Sequence, residues 1–347
     1  MMVDGHNLDL SGLEIMPGLI NAHDHLHFAL MPRLGSGPYA NATEWAHDIF
    51  RPEEDPVRRH LQVPKELRLL WGGLRNLLAG VTTVCHHDPW HLVFEQDFPV
   101  RVVREYGWAH SLEFTADVKA AFDATPAGAP FLIHLGEGTD ESSAQEIFRL
   151  EEIGALSDRT VLIHAVGLRE EGWRKVRKAG AAMIWCPRSN TFTLGRTVDP
   201  RAFDGVPRAL GTDSPITADG DLLDELRFVR EKFEMAEADL RFLVGAHARR
   251  VLRLADRPED WIAAPSFGEP PELVVIGGEI RLISPRLAEG IADSVFFPLQ
   301  VEGRPQVLVR TNTKELLEKT KVFLDCSSVY LGGRRVGAVK AGARICG

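Results

Sequence analysis

MPGLINAHDH, residues 16–25, is an apolar run that closes on two histidines spaced i, i+2. Alternate side chains of an extended strand share a face. A strand over 19–25 therefore points His23 and His25 the same way, where both imidazoles can reach one metal ion. Two imidazoles are half of a site. The reading of the fold turns on whether later strand ends supply the other ligands, and in what order.

Working outward, residues 33–60 are rich in Pro, Gly, Asn and charge and read as a long loop with short helices. LRLLWGGLRNLLA (67–79) has helical apolar spacing, with Gly80 as its stop. VTTVCH (81–86) is β-branched and reads as a buried strand. Strand-like runs recur at FLIH (131–134), VLIH (161–164), AMIWC (182–186) and ALGTD (209–213), with helical patterns at 169–179 and 222–233. Alternating strand and helix predicts a parallel α/β fold. Every one of these strands except AMIWC ends in His or Asp. In a (β/α)8 TIM-type barrel the functional residues sit at that end, each on a different strand, and such a barrel uses roughly 250 residues. A doubly wound sheet would usually carry a glycine-rich phosphate loop, and no such loop is present in the sequence.

The spacing is uneven. Two βα units fit between His164 and Asp213, whereas a stretch of similar length from Val84 to Phe131 must hold two strands and three helices. A third or fourth unit abbreviated around 91–125 is the expectation, with VRVV (100–103) and WAHSL (108–112) as its strands. Residues 238–254 read as a helix and 257–271 as a proline-rich linker. ELVVIGGEIRLI (272–283) reads as a hairpin around Gly277-Gly278, a pattern that SVYLGGRRV (328–336) repeats. The expected domains are a barrel over 17–262 and a small β domain, a partial sandwich, from 1–16 plus 263–347.

The chain has 347 residues, 44% apolar and 26% charged, enough for a sizeable core. A formal charge of −9 disfavours nucleic acid and anionic membrane as partners. No apolar run reaches membrane-spanning length, and the MMVDGH start lacks the features of a secretion signal. Cys85, Cys186, Cys326 and Cys346 lie far apart and form no CxxC pair, so they read as reduced thiols of a cytoplasmic protein. Cys85 and Cys186 fit small core positions.

The polar strand ends, in order, are His23 with His25, His134 with Glu137, His164, and Asp213. Three imidazoles and a carboxylate suit one divalent metal, zinc first and iron second. The zinc motifs HxE with PCxxC and HExxH are absent. In PGLINAHDH, AGVTTV, HLGE, LIHAVGL, CPRSN and LGTDS, in that order over about 16–230, the chain resembles the amidohydrolase superfamily, in its cytosine deaminase and chlorohydrolase-like branch. The resemblance implies His23, His25, His134 and Asp213 as metal ligands, Glu137 as proton shuttle, and His164 against the substrate or attacking water. Members with two metals bridge them with a carboxylated lysine. No lysine lies on a strand-like run between Val84 and His134, so the match is to the mononuclear branch.

The chemistry implied is hydrolytic deamination of a small nitrogen heterocycle. Asp213 would take a proton from the attacking water, Glu137 would carry it to a ring nitrogen and then to leaving ammonia, and His164 would hydrogen-bond the tetrahedral centre. Hydrolysis of an amide, lactam or aryl-halide bond at the same site is the alternative, and a non-catalytic binding protein on the same fold is a third reading. His27, His87, Trp90, His110 and Asn190 fall near the pocket mouth as candidate substrate contacts, with core or surface roles as the plain alternative. The partner expected is a small molecule, with monomer or homodimer left open. The N-terminal segment is shorter than in relatives, and Pro270-Pro271-Glu272-Leu273 stands where a glycine-lysine and alanine-aspartate signature is usual, which leaves the substrate open.

Overall fold

The computed structural model describes residues 1–289, 291, 295–324 and 329–337. Cys326, Cys346 and Ser328 of the expected second hairpin lie outside the described residues.

Eight strands that pair in parallel follow one another along the chain: Leu19–Asp24, Val81–His86, Arg101–Val102, Gly107–Ala109, Phe131–Leu135, Thr160–His164, Ala182–Trp185 and Arg208–Leu210. They are numbered one to eight below. Strands one to three form one parallel ladder and four to eight another. A parallel bridge from Asp24 to Asp213 joins strand one to the chain just past strand eight. One apolar cluster draws on all eight strand regions: Ile20, Cys85, Val103, Leu132, Ile163, Ile184 and Ala209, with Trp108 packed against it. Both Cys85 and Cys186 belong to this cluster and are fully buried.

The expected compression falls between strands three and four. Only residues 103–106 separate them, with no helix, and the two strands share no ladder. A crossover needs a dozen or more residues to bring a second strand alongside the first in parallel, so the seam stays open. The helices Lys65–Leu78, Glu170–Ala179 and Leu222–Phe233 lie where apolar spacing puts them. The helix expected over 238–254 is instead two, Glu237–Leu243 and Ala246–Val251. Gly245 breaks it, leaving helical backbone at φ −131, ψ −107.

A second, antiparallel sheet of eight strands runs in the order Val329–Leu331, Arg334–Gly337, Phe297–Val301, Val307–Val309, Glu279–Ile283, Leu273–Ile276, Trp261–Ala264, Glu14–Pro17. Glu14–Pro17 pairs with Trp261–Ala264 and leads directly into strand one. The far hairpin reaches back over the parallel strands. Gly220 N–H donates to Gly332 O at 2.7 Å, and Gly332 N–H donates to Ala29 O at 3.0 Å. Gly332 has φ +55, and a Cβ there would lie 2.7 Å from Gly220 O, so glycine is required on both counts. Arg304 and Arg334 bind Asp221 and Asp224 at the start of the helix after strand eight. No helix among the described residues is long and apolar enough to cross a membrane.

Candidate metal centre

Strand one delivers two imidazoles despite an irregular register between Asn21 and Asp24. His23 ends up fully buried and His25 8% exposed. Their Nε2 atoms each lie 3.6 Å from Asp213 Oδ1. Strand eight comes this close because Gly211 has no side chain: a Cβ there would sit 2.7 Å from His23 Cβ. His134, at the end of strand five, brings its Nε2 to 3.2 Å from His23 Nε2. His164, ending strand six, has its Nε2 3.5 Å from Glu137 Oε1. His23, His25 and Asp213 form one set of mutually close ligand atoms, His23, His134 and His164 a second, and Glu137, His164 and Asp213 a third. All six expected metal-binding and catalytic residues are thus brought together.

The second nitrogens and oxygens are already committed. His25 Nδ1 donates to Asp88 Oδ2 at 2.8 Å, His134 Nδ1 to His110 O at 2.7 Å, and His164 Nδ1 to Asn190 Oδ1 at 2.7 Å. In a neutral imidazole the nitrogen opposite the N–H carries the lone pair, so each of these rings presents an acceptor Nε2. Asp213 Oδ2 accepts from Ser189 Oγ at 2.6 Å and Thr217 Oγ1 at 3.0 Å, which leaves Oδ1 for the histidines. His23 is the exception, with a buried Nδ1 that has no partner among the described residues. Ring nitrogens 3.2 Å apart repel unless a proton or cation lies between them. The donor set therefore fits a divalent metal of borderline softness.

The electrostatics agree. Burial first, then the neighbouring histidines, pushes His23 down to about 3 in spite of its hydrogen bond to Asp213, so the ring is neutral, as a ligand must be. His134 is held well below the usual histidine range for the same reasons. Burial opposes charge on Asp213, but hydrogen bonding to His23 and the surrounding imidazoles outweigh it and keep the carboxyl low. Glu137 goes the other way: burial, then the charges of Asp213 and Glu146, hold it well above the usual carboxylate range. Two acids in one site with opposite shifts are the arrangement that divides acid from base work. Backbone strain collects here too, with φ +73 at His164 and +56 at Asp213.

A cavity of about 290 Å³ opens beside the cluster, lined by His134, Glu137, His110, Phe114, Glu146 and Arg149 among others. Of the five expected substrate contacts, only His110 lines it. His27 sits beside Asp88, and His87 lies under His134 with Nε2 bonded to Ala109 O. Asn190 is fully buried, its amide donating to Thr197 and accepting from His164. Trp90 is 37% exposed and turns outward to Glu95 and Arg104. Sequence reasoning missed Asp88, whose only signal was an acid directly after His86-His87 at the end of strand two. It also missed Glu146, one helical turn into the element after strand five, whose Oε2 accepts from Gly136 N–H at 2.6 Å.

No family model matches the chain. The chain is 26% identical over 286 residues to a 5-methylthioadenosine/S-adenosylhomocysteine deaminase of Pyrococcus furiosus, an alignment covering 64% of each. The chain thus matches somewhat under two thirds of that curated relative's length. Among solved structures, a zinc-bound adenosine deaminase from Xanthomonas campestris superposes with a TM-score of 0.65 at 16% identity, covering 90% of this chain and 86% of its own. A zinc-complexed atrazine chlorohydrolase from Arthrobacter aurescens gives 0.65 at 16% identity, covering 90% and 88%. The resemblance read in the sequence, to the deaminase and chlorohydrolase-like branch of the amidohydrolase superfamily, is borne out.

Proposed function

We propose that this chain, as a deaminase and chlorohydrolase-like amidohydrolase, is a metal-dependent hydrolase that removes ammonia from a small nitrogen heterocycle. The observation that carries the reading is that His23 belongs to one close set of ligand atoms with His25 and Asp213 and to another with His134 and His164, beside Glu137, whose carboxyl burial holds well above the usual range. His23, His25, His134 and Asp213 would hold the metal, with zinc favoured by the nitrogen-rich donor set. The zinc-bound adenosine deaminase and chlorohydrolase are in keeping with that choice. A divalent cation in such a site lowers the pKa of its water from about 15.7 towards 7.

The residues then divide the proton work. Asp213 is ionised, and with Oδ2 tied to Ser189 and Thr217 its Oδ1 faces the site, so it accepts the proton of the attacking water. Glu137, whose carboxyl burial holds well above the usual carboxylate range, is suited to hold a proton and deliver it to a ring nitrogen of the substrate. After water adds to the amino-bearing carbon, Glu137, now a carboxylate, takes the water's proton from nearby Asp213 and passes it to the amine as the C–N bond breaks. The hydroxyl of the collapsing centre then returns a proton to Glu137. His164, its Nδ1 tied to Asn190, holds an acceptor Nε2 towards Glu137, where it can accept from the Glu137 carboxyl or from the hydroxyl of the tetrahedral centre. The cavity of about 290 Å³ is at the small end of ligand sites and suits a single heterocycle with modest substituents.

We read the eight parallel strands as a distorted (β/α)8 barrel, open between strands three and four, in which the site occupies the C-terminal end of the strands. The antiparallel sheet is read as the separate β domain of 1–16 with 263–347, strand Trp261–Ala264 belonging to it.

The test is a panel of aminated purines, pyrimidines and triazines, followed by direct detection of ammonia, with metal content measured on the same protein. About one metal per chain and ammonia release are expected. Glu137→Gln should lower turnover on the order of 10²–10⁴ while leaving metal content unchanged. Release of halide or carboxylate without ammonia would move the reaction to an aryl halide or amide. No turnover from a metal-loaded protein would favour the binding-protein reading.

A further inference from the structure

Asp88 lies two residues past strand two and is held there by the strands themselves. His87 N–H donates to Asp24 O at 3.0 Å, and Asp88 N–H to His86 O at 3.0 Å, so the end of strand two is fastened to the end of strand one. From that position its carboxylate accepts from His25 Nδ1 at 2.8 Å, with His27 Nδ1 at 3.4 Å as a second neighbour. Its side chain is 22% exposed and that of His25 is 10% exposed, so solvent screens the pair only weakly.

The comparison with the other two tethered imidazoles is informative. His134 is held by a backbone carbonyl and His164 by a side-chain amide, both neutral acceptors. Among these three rings, His25 alone leans on a carboxylate. A carboxylate can only accept, so the proton of a neutral His25 must sit on Nδ1 and the lone pair on Nε2. That is the atom 3.6 Å from Asp213 Oδ1. A negative partner also makes the opposite nitrogen a better donor, and such outer carboxylates commonly govern metal affinity.

We propose that Asp88 is a positioning residue that fixes the tautomer and aim of His25 and so sets how tightly the site holds its metal. The proposal rests on reading His25 as a ligand. It separates two tasks: His134 and His164 are oriented by neutral groups, whereas His25 is oriented and made more basic by a charge.

The experiment compares wild type, Asp88→Ala, Asp88→Asn and Asp88→Glu, each loaded with zinc. It measures the zinc dissociation constant by competition with a chromogenic chelator, and the melting temperature without metal. Asp88→Ala should weaken zinc binding 10–100-fold. Asp88→Asn keeps an acceptor oxygen but no charge and should fall between, while Asp88→Glu should restore part of the affinity. The nitrogen NMR spectrum of metal-free wild type should show His25 protonated at Nδ1. Asp88→Asn, nearly the same shape, keeps the test valid if the alanine variant folds poorly. Wild-type affinity in both Asp88→Ala and Asp88→Asn overturns the proposal and leaves the metal site standing. A purely structural role would lower the metal-free melting temperature without changing zinc affinity, and that too overturns it. Failure of wild type to bind zinc at all would bring down the metal-site reading together with the proposal.

Discussion

Asp24 and Asp213 are buried aspartates joined by one backbone bridge, yet they face opposite kinds of surroundings. Asp24 sits between the two histidines of the first strand and looks away from them. Its Oδ2 accepts from Arg75 at 2.9 Å, Asn76 at 2.7 Å and Asn21 at 3.2 Å, and Thr212 closes the network by accepting from Arg75 and Asn21. Asp213 has no arginine or lysine partner among the described residues; its Oδ1 faces the imidazoles of His23, which burial keeps neutral, and His25. One carboxylate is neutralised by the protein and serves the fold. The other is left for something the protein must acquire. Within the three residues His23-Asp24-His25 the chain therefore builds a cation-paired polar core on one face and, among the described residues, one without a cation on the other, and that lack is the better mark of function.

The comparison can be broken at either end. The largest effect is expected from Asp213→Asn, which keeps the shape and the acceptor for Ser189 but removes the charge. Turnover should fall on the order of 10²–10⁴ with loss of metal, while the metal-free melting temperature stays at or above that of wild type. Metal analysis and differential scanning calorimetry check both halves. Arg75→Met should do the reverse. Leaving Asp24 charged and unpaired costs about 3–5 kcal/mol, read by urea unfolding, and adding Asp24→Asn should recover most of it. Turnover per folded molecule should change less than tenfold, and a larger loss would mean that the closed network also shapes the site.

Glu225 sharpens the contrast as a third case. Among the described residues it has no salt-bridge partner, and burial, only partly offset by the charge and backbone N–H of Arg188, pushes it up to about 8. The folded protein therefore keeps a proton that the unfolded chain gives up near 4.5, and stability should fall as pH rises from there to about 8. The slope is at most about 1.4 kcal/mol per pH unit. Unfolding titrations of Glu225→Gln between pH 5 and 8 should show that slope flattened.

Much of this was legible because strand ends are local. PGLINAHDH, HLGE, LIHAVGL and LGTDS each put a chemical side chain at the end of an apolar run, and the parallel topology does the rest. The shortage of residues before Phe131 was equally readable, since a helix that lacks the chain to form it cannot be there. Contacts that depend on what lies across a gap were not. Trp90 faces outward because the 3-10 turn Leu92–Glu95 offers it Glu95, and Asn190 faces inward because its helix brings it under His164. Asp88 belongs to no recognisable spacing, and its importance arises only when strands one and two are laid side by side. The break at Gly245 was hidden by an apolar pattern that continues across it.

The clasp between Gly220 and Gly332 bears on how the molecule is made. Residues 214–221 leave strand eight beside Asp213, yet their anchors, Arg304 and the Gly332 hairpin, emerge from the ribosome long after the parallel strands have been synthesised. During translation the ligand-bearing strands can assemble while this loop still lacks its fastening. Competence to hold the metal should then appear late and abruptly, close to the moment when the last strands dock.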